Sequence, residues 1–93
     1  MRSLKTTRSY KKDFRREART ENVDAMMSVM PIAISALAAD RPLGEAYKDH
    51  QLAGDWQDCR ECHLKDDFLL VYLKEDNNLH LIRLGSHVEI FGE

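Results

Sequence analysis

The sequence predicts an α+β fold in which two N-terminal helices pack on an antiparallel β-sheet. Between Tyr10 and Ala38 apolar residues recur every three to four positions, the period of helices that bury one face. Beyond Trp56 come three short strand-like runs, parted by the polar breaks Asp66-Asp67 and Glu75-Asp76-Asn77-Asn78, as in a meander of hairpins. Helices first and strands afterwards give an α+β rather than an alternating architecture. Ninety-three residues, 43% hydrophobic and 32% charged, make one domain over 1–93 with a single modest core.

Residues 2–7 are expected to form a short edge strand. Ser9 stands where an N-cap belongs, able to accept one of the backbone N–H groups that a first helical turn leaves unpaired. Tyr10, Phe14 and Ala18 then form one apolar stripe, with Lys and Arg on the other faces. Asn22 or Asp24 caps a second helix carrying Val23, Met26, Met27, Met30, Ile34, Leu37 and Ala38 at helical spacing. The methionines read as core filling. Pro31 lacks a backbone donor and crowds the preceding turn, which predicts a kink near Met27–Met30 or two abutting pieces. Arg41-Pro42 ends the helical region, and Leu43 to Trp56 reads as an ordered loop carrying Tyr47 and His50. Strands are expected over about 57–64, 68–74 and 79–84. The middle one, Phe68-Leu69-Leu70-Val71-Tyr72-Leu73, is apolar throughout and so buried on both faces.

No apolar run approaches the roughly 20 residues needed to span a bilayer, and the basic N-terminus lacks an apolar stretch of the secretory kind. Two cysteines, Cys59 and Cys62, make no disulfide framework, so a reducing cytoplasm is the default. The net charge of −2 hides an asymmetry. Residues 1–19 hold eight basic against two acidic side chains, a balance of +6, and the other 74 hold six against fourteen, or −8. A basic arm on an acidic body suits contact with a polyanion, and equally a solvated helix face.

Cys59-Arg60-Glu61-Cys62-His63 matches the C-x-x-C-H haem-attachment spacing, but attachment belongs to an exporting compartment. Zinc on Cys59, Cys62, His63 and His50 is disfavoured because strand side chains three apart point to opposite faces. The same alternation puts Glu61 and His63 on one face, the polar one, with Asp67 near it at the hairpin. A carboxylate beside an imidazole can hold it for general acid–base work. Arg83-Leu84-Gly85-Ser86-His87 brings a fixed cation and a second imidazole to a strand end. His80, opposite in parity to Arg83, is expected to be exposed, and Trp56 to anchor the core or its loop. Phe91 reads as a staple for the C-terminus before a base-stacking platform. The ensemble of His, Asp, Arg and aromatic groups is suited to metal-free RNA cleavage. A base takes the 2′-hydroxyl proton, a cation stabilises the phosphate charge, and an acid protonates the leaving 5′-oxygen. Spacing permits this chemistry without selecting it.

Tyr47-Lys48-Asp49-His50-Gln51-Leu52, Gly54-Asp55-Trp56, Arg60-Glu61-Cys62-His63-Leu64, Asp66 to Tyr72, and Leu81 to His87 with Phe91 resemble, in order and spacing, the YafQ family of the RelE/ParE toxin superfamily. The likeness runs from about Leu43 to Gly92. It implies a RelE-like compact domain and the toxin of a bacterial type II toxin–antitoxin pair. It further implies a ribosome-dependent mRNA endoribonuclease of the cytoplasm, without metal or cofactor, bound by a DinJ/RelB-like antitoxin in a hetero-oligomer. The family's site residues fall on His50, His63, Asp67, Arg83, His87 and Phe91. His87 would be a principal proton-transfer residue with Asp67 or His50 as counterpart, the base and the acid being left open. His63 would support it, Arg83 would stabilise phosphate charge, and Phe91 would position the mRNA. This chain departs from the pattern in its pI near 6.1, in Pro31, and in Asp66-Asp67, whose like charges are expected to raise the carboxylate pKa values. Competing readings are a ParE-like gyrase inhibitor and a non-catalytic antitoxin-binding co-repressor.

Overall fold

The computed structural model describes residues 1–92. Strand β1 (Ser3–Thr6) leads into helix α1 (Arg8–Glu17), and helix α2 (Val23–Ala38) follows. Two 3-10 turns, Glu45–Tyr47 and Gly54–Trp56, flank a two-residue strand β2 (His50–Gln51). Strands β3 (Arg60–Lys65), β4 (Phe68–Glu75) and β5 (Asn78–Gly85) form the meander, and a short helix α3 (His87–Phe91) ends it. The sheet order is β1-β5-β4-β3-β2. All neighbours run antiparallel except β1, which pairs parallel with β5.

Strand alternation divides the core in two. Cys62, Leu70, Tyr72, Leu81 and Leu84 face α1 and α2, where Tyr10, Met26, Met30, Ala33 and Leu37 close the larger cluster. Leu69 and Val71 face the other way and pack against Ile90 of α3, with Leu52, Trp56 and Phe91 around them. Phe68 to Tyr72 is therefore buried from both sides, as its unbroken apolar run requires.

Several local expectations change. Thr7, not Ser9, caps α1: its Oγ1 accepts from Tyr10 N–H at 2.9 Å and donates to the Ile82 carbonyl at 2.7 Å. The helix thereby gains both a cap, worth about 1 kcal/mol, and a tie to β5. The buried side of α1 is Tyr10, Asp13 and Glu17, whereas Phe14 is 40% exposed and Ala18 lies outside. The apolar stripe is rotated because β5 offers Arg83 and a backbone N–H that need acidic partners. Asn22 occupies the N-cap of α2 but spends its side chain on Glu17. That helix runs through Pro31 as one element. Pro31 and the residue four before it, Met27, lie on the exposed side, so the carbonyl deprived of its donor is in reach of water. A bulge between Val71 and Tyr72 of β4 gives β5 one extra residue. It puts His80 and Arg83 on the same face, and His80 is half-buried rather than exposed, its Nε2 without a partner.

Candidate active site

The parity of β3 carries Glu61 and His63 to the face that α3 partly covers. Glu61 pairs in register with His50 of β2 on one side and with Val71 of β4 on the other. That register alone brings His50 beside Glu61. His87 arrives from the first turn of α3, whose start is set by a capping box. Ser86 Oγ accepts from Glu89 N–H at 3.1 Å, and Glu89 Oε1 accepts from Ser86 N–H at 2.9 Å.

Three imidazoles converge on one buried carboxylate oxygen. Nε2 of His50, His63 and His87 lies 3.3, 3.4 and 3.6 Å from Glu61 Oε2, and Glu61 is only 2% exposed. Its second oxygen, Oε1, is buried without a partner. Each ring is oriented through its other nitrogen. His50 Nδ1 lies 2.7 Å from the Lys48 carbonyl, His63 Nδ1 3.0 Å from the Asp66 carbonyl, and His87 Nδ1 2.7 Å from Asp67 Oδ1. Carbonyl and carboxylate oxygens only accept, so each Nδ1 must carry a proton. Every Nε2 is thereby directed at the shared centre, an arrangement made to hold a proton or another cation.

Asp67 also accepts from the His87 backbone N–H at 3.0 Å. Those two donations from His87 hold its carboxyl below the usual range, which reverses the rise expected from its neighbour Asp66. Asp67 is thus an ionised orienting group, whose Oδ1 is already occupied by His87. His63 lies between the other two rings, with centroids 6.3 Å from His50 and 5.9 Å from His87. The His50 and His87 side chains are 50% and 45% exposed, that of His63 only 16%.

A cleft of about 260 Å³ opens over the cluster, with His50, Glu61 and His87 on its polar wall and Leu52, Trp56 and Phe91 on its apolar wall. Phe91 meets Trp56 edge-on at 5.3 Å and lies 6.0 Å from His87. It is both a staple and the neighbour of a candidate catalytic ring. Arg83 is the site residue held apart. Its Nε and Nη2 donate to Asp13 at 2.7 and 3.3 Å, and it has no ion pair with the cluster among the described residues. Cys62 lies on the opposite face in the larger core, and burial pushes its thiol up to about 12, so it supplies no thiolate. Glu61, His63 and His87, by contrast, each offer one ligand atom, all within 4.8 Å of one another. Two imidazoles and a carboxylate, oriented by neighbours and backed by an orphaned buried oxygen, fit a borderline divalent cation.

Glu61 is the residue missing from the predicted set, although its shared face with His63 pointed to it. The helix that delivers His87 was also missed, although Ser86-His87-Val88-Glu89 carries the S-x-x-E capping signal.

The five-stranded α+β domain shares its fold and sequence pattern with small toxins of the type II toxin–antitoxin class. Residues 2–92 match the family described as bacterial toxin of type II toxin-antitoxin system, YafQ. The chain belongs to the YafQ family. It is 30% identical over 92 residues to the mRNA interferase toxin YafQ of Escherichia coli K12, covering 98% of this chain and 97% of that one. A copper-bound mutant toxin from Helicobacter pylori superposes with a TM-score of 0.86 at 40% identity, covering 98% of this chain and all of that one. The toxin of the E. coli DinJ–YafQ complex does so with a TM-score of 0.81 at 28% identity, over 99% and 100% of the two chains.

Proposed function

We propose that this chain is an endoribonuclease that cleaves mRNA on the ribosome and is held inactive by a DinJ-like antitoxin. The observation that carries the reading is the convergence of three Nε2 atoms on Glu61 Oε2, with His87 fixed by Asp67. Attack of a 2′-hydroxyl on the adjacent phosphate needs one proton removed and another delivered. His87 and His50, the two exposed rings, meet the substrate and exchange protons with it. Glu61 Oε2 lies within reach of both and carries the proton from one to the other, with His63 Nε2 beside it, so a cycle ends as it began. Asp67 keeps His87 in the tautomer whose Nε2 faces the reacting oxygen. Its own ionised state makes His50 the better counterpart. Phe91 and Trp56 offer an apolar wall for a base. Arg83 supplies charge to the phosphate through Nη1, because Asp13 and α3 engage its other two nitrogens.

The basic arm supports a ribosomal site of action. Arg8, Lys11, Lys12, Arg15 and Arg19 are exposed and make no ion pair among the described residues. Clustered cations of this kind bind phosphate chains whatever the net charge. Among the described residues no helix is long and apolar enough to cross a membrane. A divalent ion seated on Glu61, His63 and His87 would occupy the lone pairs that proton transfer uses and so oppose it.

Expression of wild type and His87→Ala with mRNA mapping tests the proposal. Wild type should arrest growth with mRNA cut in frame, and the variant should do neither. Arrest that survives His87→Ala with mRNA intact would overturn the nuclease reading. Equal cleavage of mRNA with and without ribosomes would overturn ribosome dependence alone.

A further inference from the structure

Asp13 lies on α1, outside the cleft, with no part yet in the chemistry. Its carboxylate is 3% exposed and accepts four hydrogen bonds. Arg83 Nε donates to Oδ2 at 2.7 Å and Arg83 Nη2 to Oδ1 at 3.3 Å. Arg16 Nη1 donates to Oδ1 at 2.9 Å, and the Leu84 backbone N–H to Oδ2 at 2.9 Å. A carboxylate has about four lone-pair sites, so Asp13 is saturated. Burial alone would raise its pKa, yet the donors from Arg83, Leu84 and Arg16 hold it below the usual value.

Both arginines continue to the same residue of α3. Arg83 Nη2 also donates to the Glu89 carbonyl at 3.3 Å, one of the acceptors that a five-residue helix cannot satisfy internally. Arg16 Nε lies 3.2 Å from Glu89 Oε2, the side chain that closes the capping box on Ser86. Gly85 makes this crossing possible, since a Cβ there would stand 2.7 Å from Arg16 Nη2 and 2.9 Å from Glu89 Oε1. Two paths therefore run from one buried carboxylate to the helix that carries His87 and Phe91.

We propose that Asp13 is a positioning residue of the active site. Through Arg83 and Arg16 it fixes the seat of α3, and with it the places of the His87 and Phe91 rings. It also commits the Nε and Nη2 atoms of Arg83, leaving Nη1 as the guanidinium nitrogen without a partner among the described residues. The link to turnover rests on the nuclease reading; the seating of α3 does not.

The experiment uses Asp13→Asn in the full chain, with two readouts. The chain has a single tryptophan, and Trp56 packs edge-on against Phe91, so its emission reports whether α3 is seated. Asp13→Asn should shift that emission to the red and raise acrylamide quenching, with the far-UV circular dichroism of the fold retained. In ribosome-bound mRNA cleavage kcat should fall about 100-fold, the scale of an ångström-sized misplacement, with KM changed less than about threefold. Should Asp13→Asn fail to fold, Arg16→Met removes only one of the two paths and should give a smaller effect of the same kind on both readouts. Lower thermal stability with unchanged kcat and unchanged Trp56 emission would make Asp13 merely structural and overturn the proposal. Unmoved Trp56 emission overturns the seating even if wild type cleaves no RNA. A shifted emission with an inactive wild type would instead sustain the seating and refute the nuclease reading.

Discussion

Glu61→Gln should make the protein more stable and nearly inactive. The wild-type carboxylate is 2% exposed, with Oε1 unpartnered and Oε2 facing three Nε2 atoms at 3.3–3.6 Å. Since all three Nδ1 atoms carry their proton, any ring without a second proton turns a lone pair, not a donor, toward that oxygen. A buried polar group without its partner costs about 1–3 kcal/mol. The Gln amide presents two N–H donors to those lone pairs, so the change should recover about 1 kcal/mol. In a domain of this size that raises Tm by about 4–8 °C. It also breaks the proton path between His50 and His87, and turnover should fall by about 10²–10⁴, the usual share of general acid–base catalysis. Circular-dichroism melts measure the first effect; cleavage of ribosome-bound mRNA measures the second. A lower Tm together with intact turnover would refute the argument that Glu61 is a strained hub of proton exchange.

Asp67→Asn should lower kcat about 10- to 100-fold, the usual effect of losing a residue that orients a functional imidazole, with circular dichroism unchanged; full activity would show that His87 needs no orienting carboxylate. Because its folded-state pKa is depressed, Asp67 stabilises the fold above the ordinary carboxylate value of about 3.9 and loses that contribution as pH falls through its lower folded value. Melts below about pH 4 should therefore decline more steeply for wild type than for Asp67→Asn, and parallel curves would contradict the assignment. Gly85→Ala should destabilise by about 1–3 kcal/mol, read by urea titration, since Gly85 has φ +154° and its Cβ would press on Arg16 and Glu89. Zn²⁺ at a hundredfold excess over its Kd should stabilise by about 2.7 kcal/mol and stop cleavage, with EDTA restoring it. Absence of any thermal shift, or a shift retained in His63→Ala, would rule out the Glu61–His63–His87 seat.

The fold was legible where one physical rule acts alone. The apolar run Phe68 to Leu73 could only be a strand covered on both sides, and the polar breaks around it could only be hairpins. Rules failed where a tertiary demand outweighed a local one. Tyr10, Phe14 and Ala18 form a better apolar stripe than Tyr10, Asp13 and Glu17. The second set is nevertheless buried, because Arg83, Arg16 and the Leu84 N–H lie across from it. Thr7 outcompeted Ser9 as a cap because only Thr7 also reaches the Ile82 carbonyl. The bulge in β5 reversed the parity of His80, and a one-residue slip leaves no mark in composition.

The site was legible as residue types but not as a mechanism. His50, the His63–Asp67 hairpin and His87 stand in segments apart in sequence, and the register of His50 opposite Glu61 joins the first two. That register depends on β2, a strand of two residues with no period to betray it. Glu61 was legible as the carboxylate sharing a polar face with His63, but not as a hub, because alternation gives the face and not its burial. Burial changes its meaning, since a carboxylate removed from water must find partners, and among the described residues its side-chain partners are three imidazole nitrogens. The chemistry follows from that enforced proximity. What the fold supplies to His50, His63 and His87 is one acidic oxygen for all three to share.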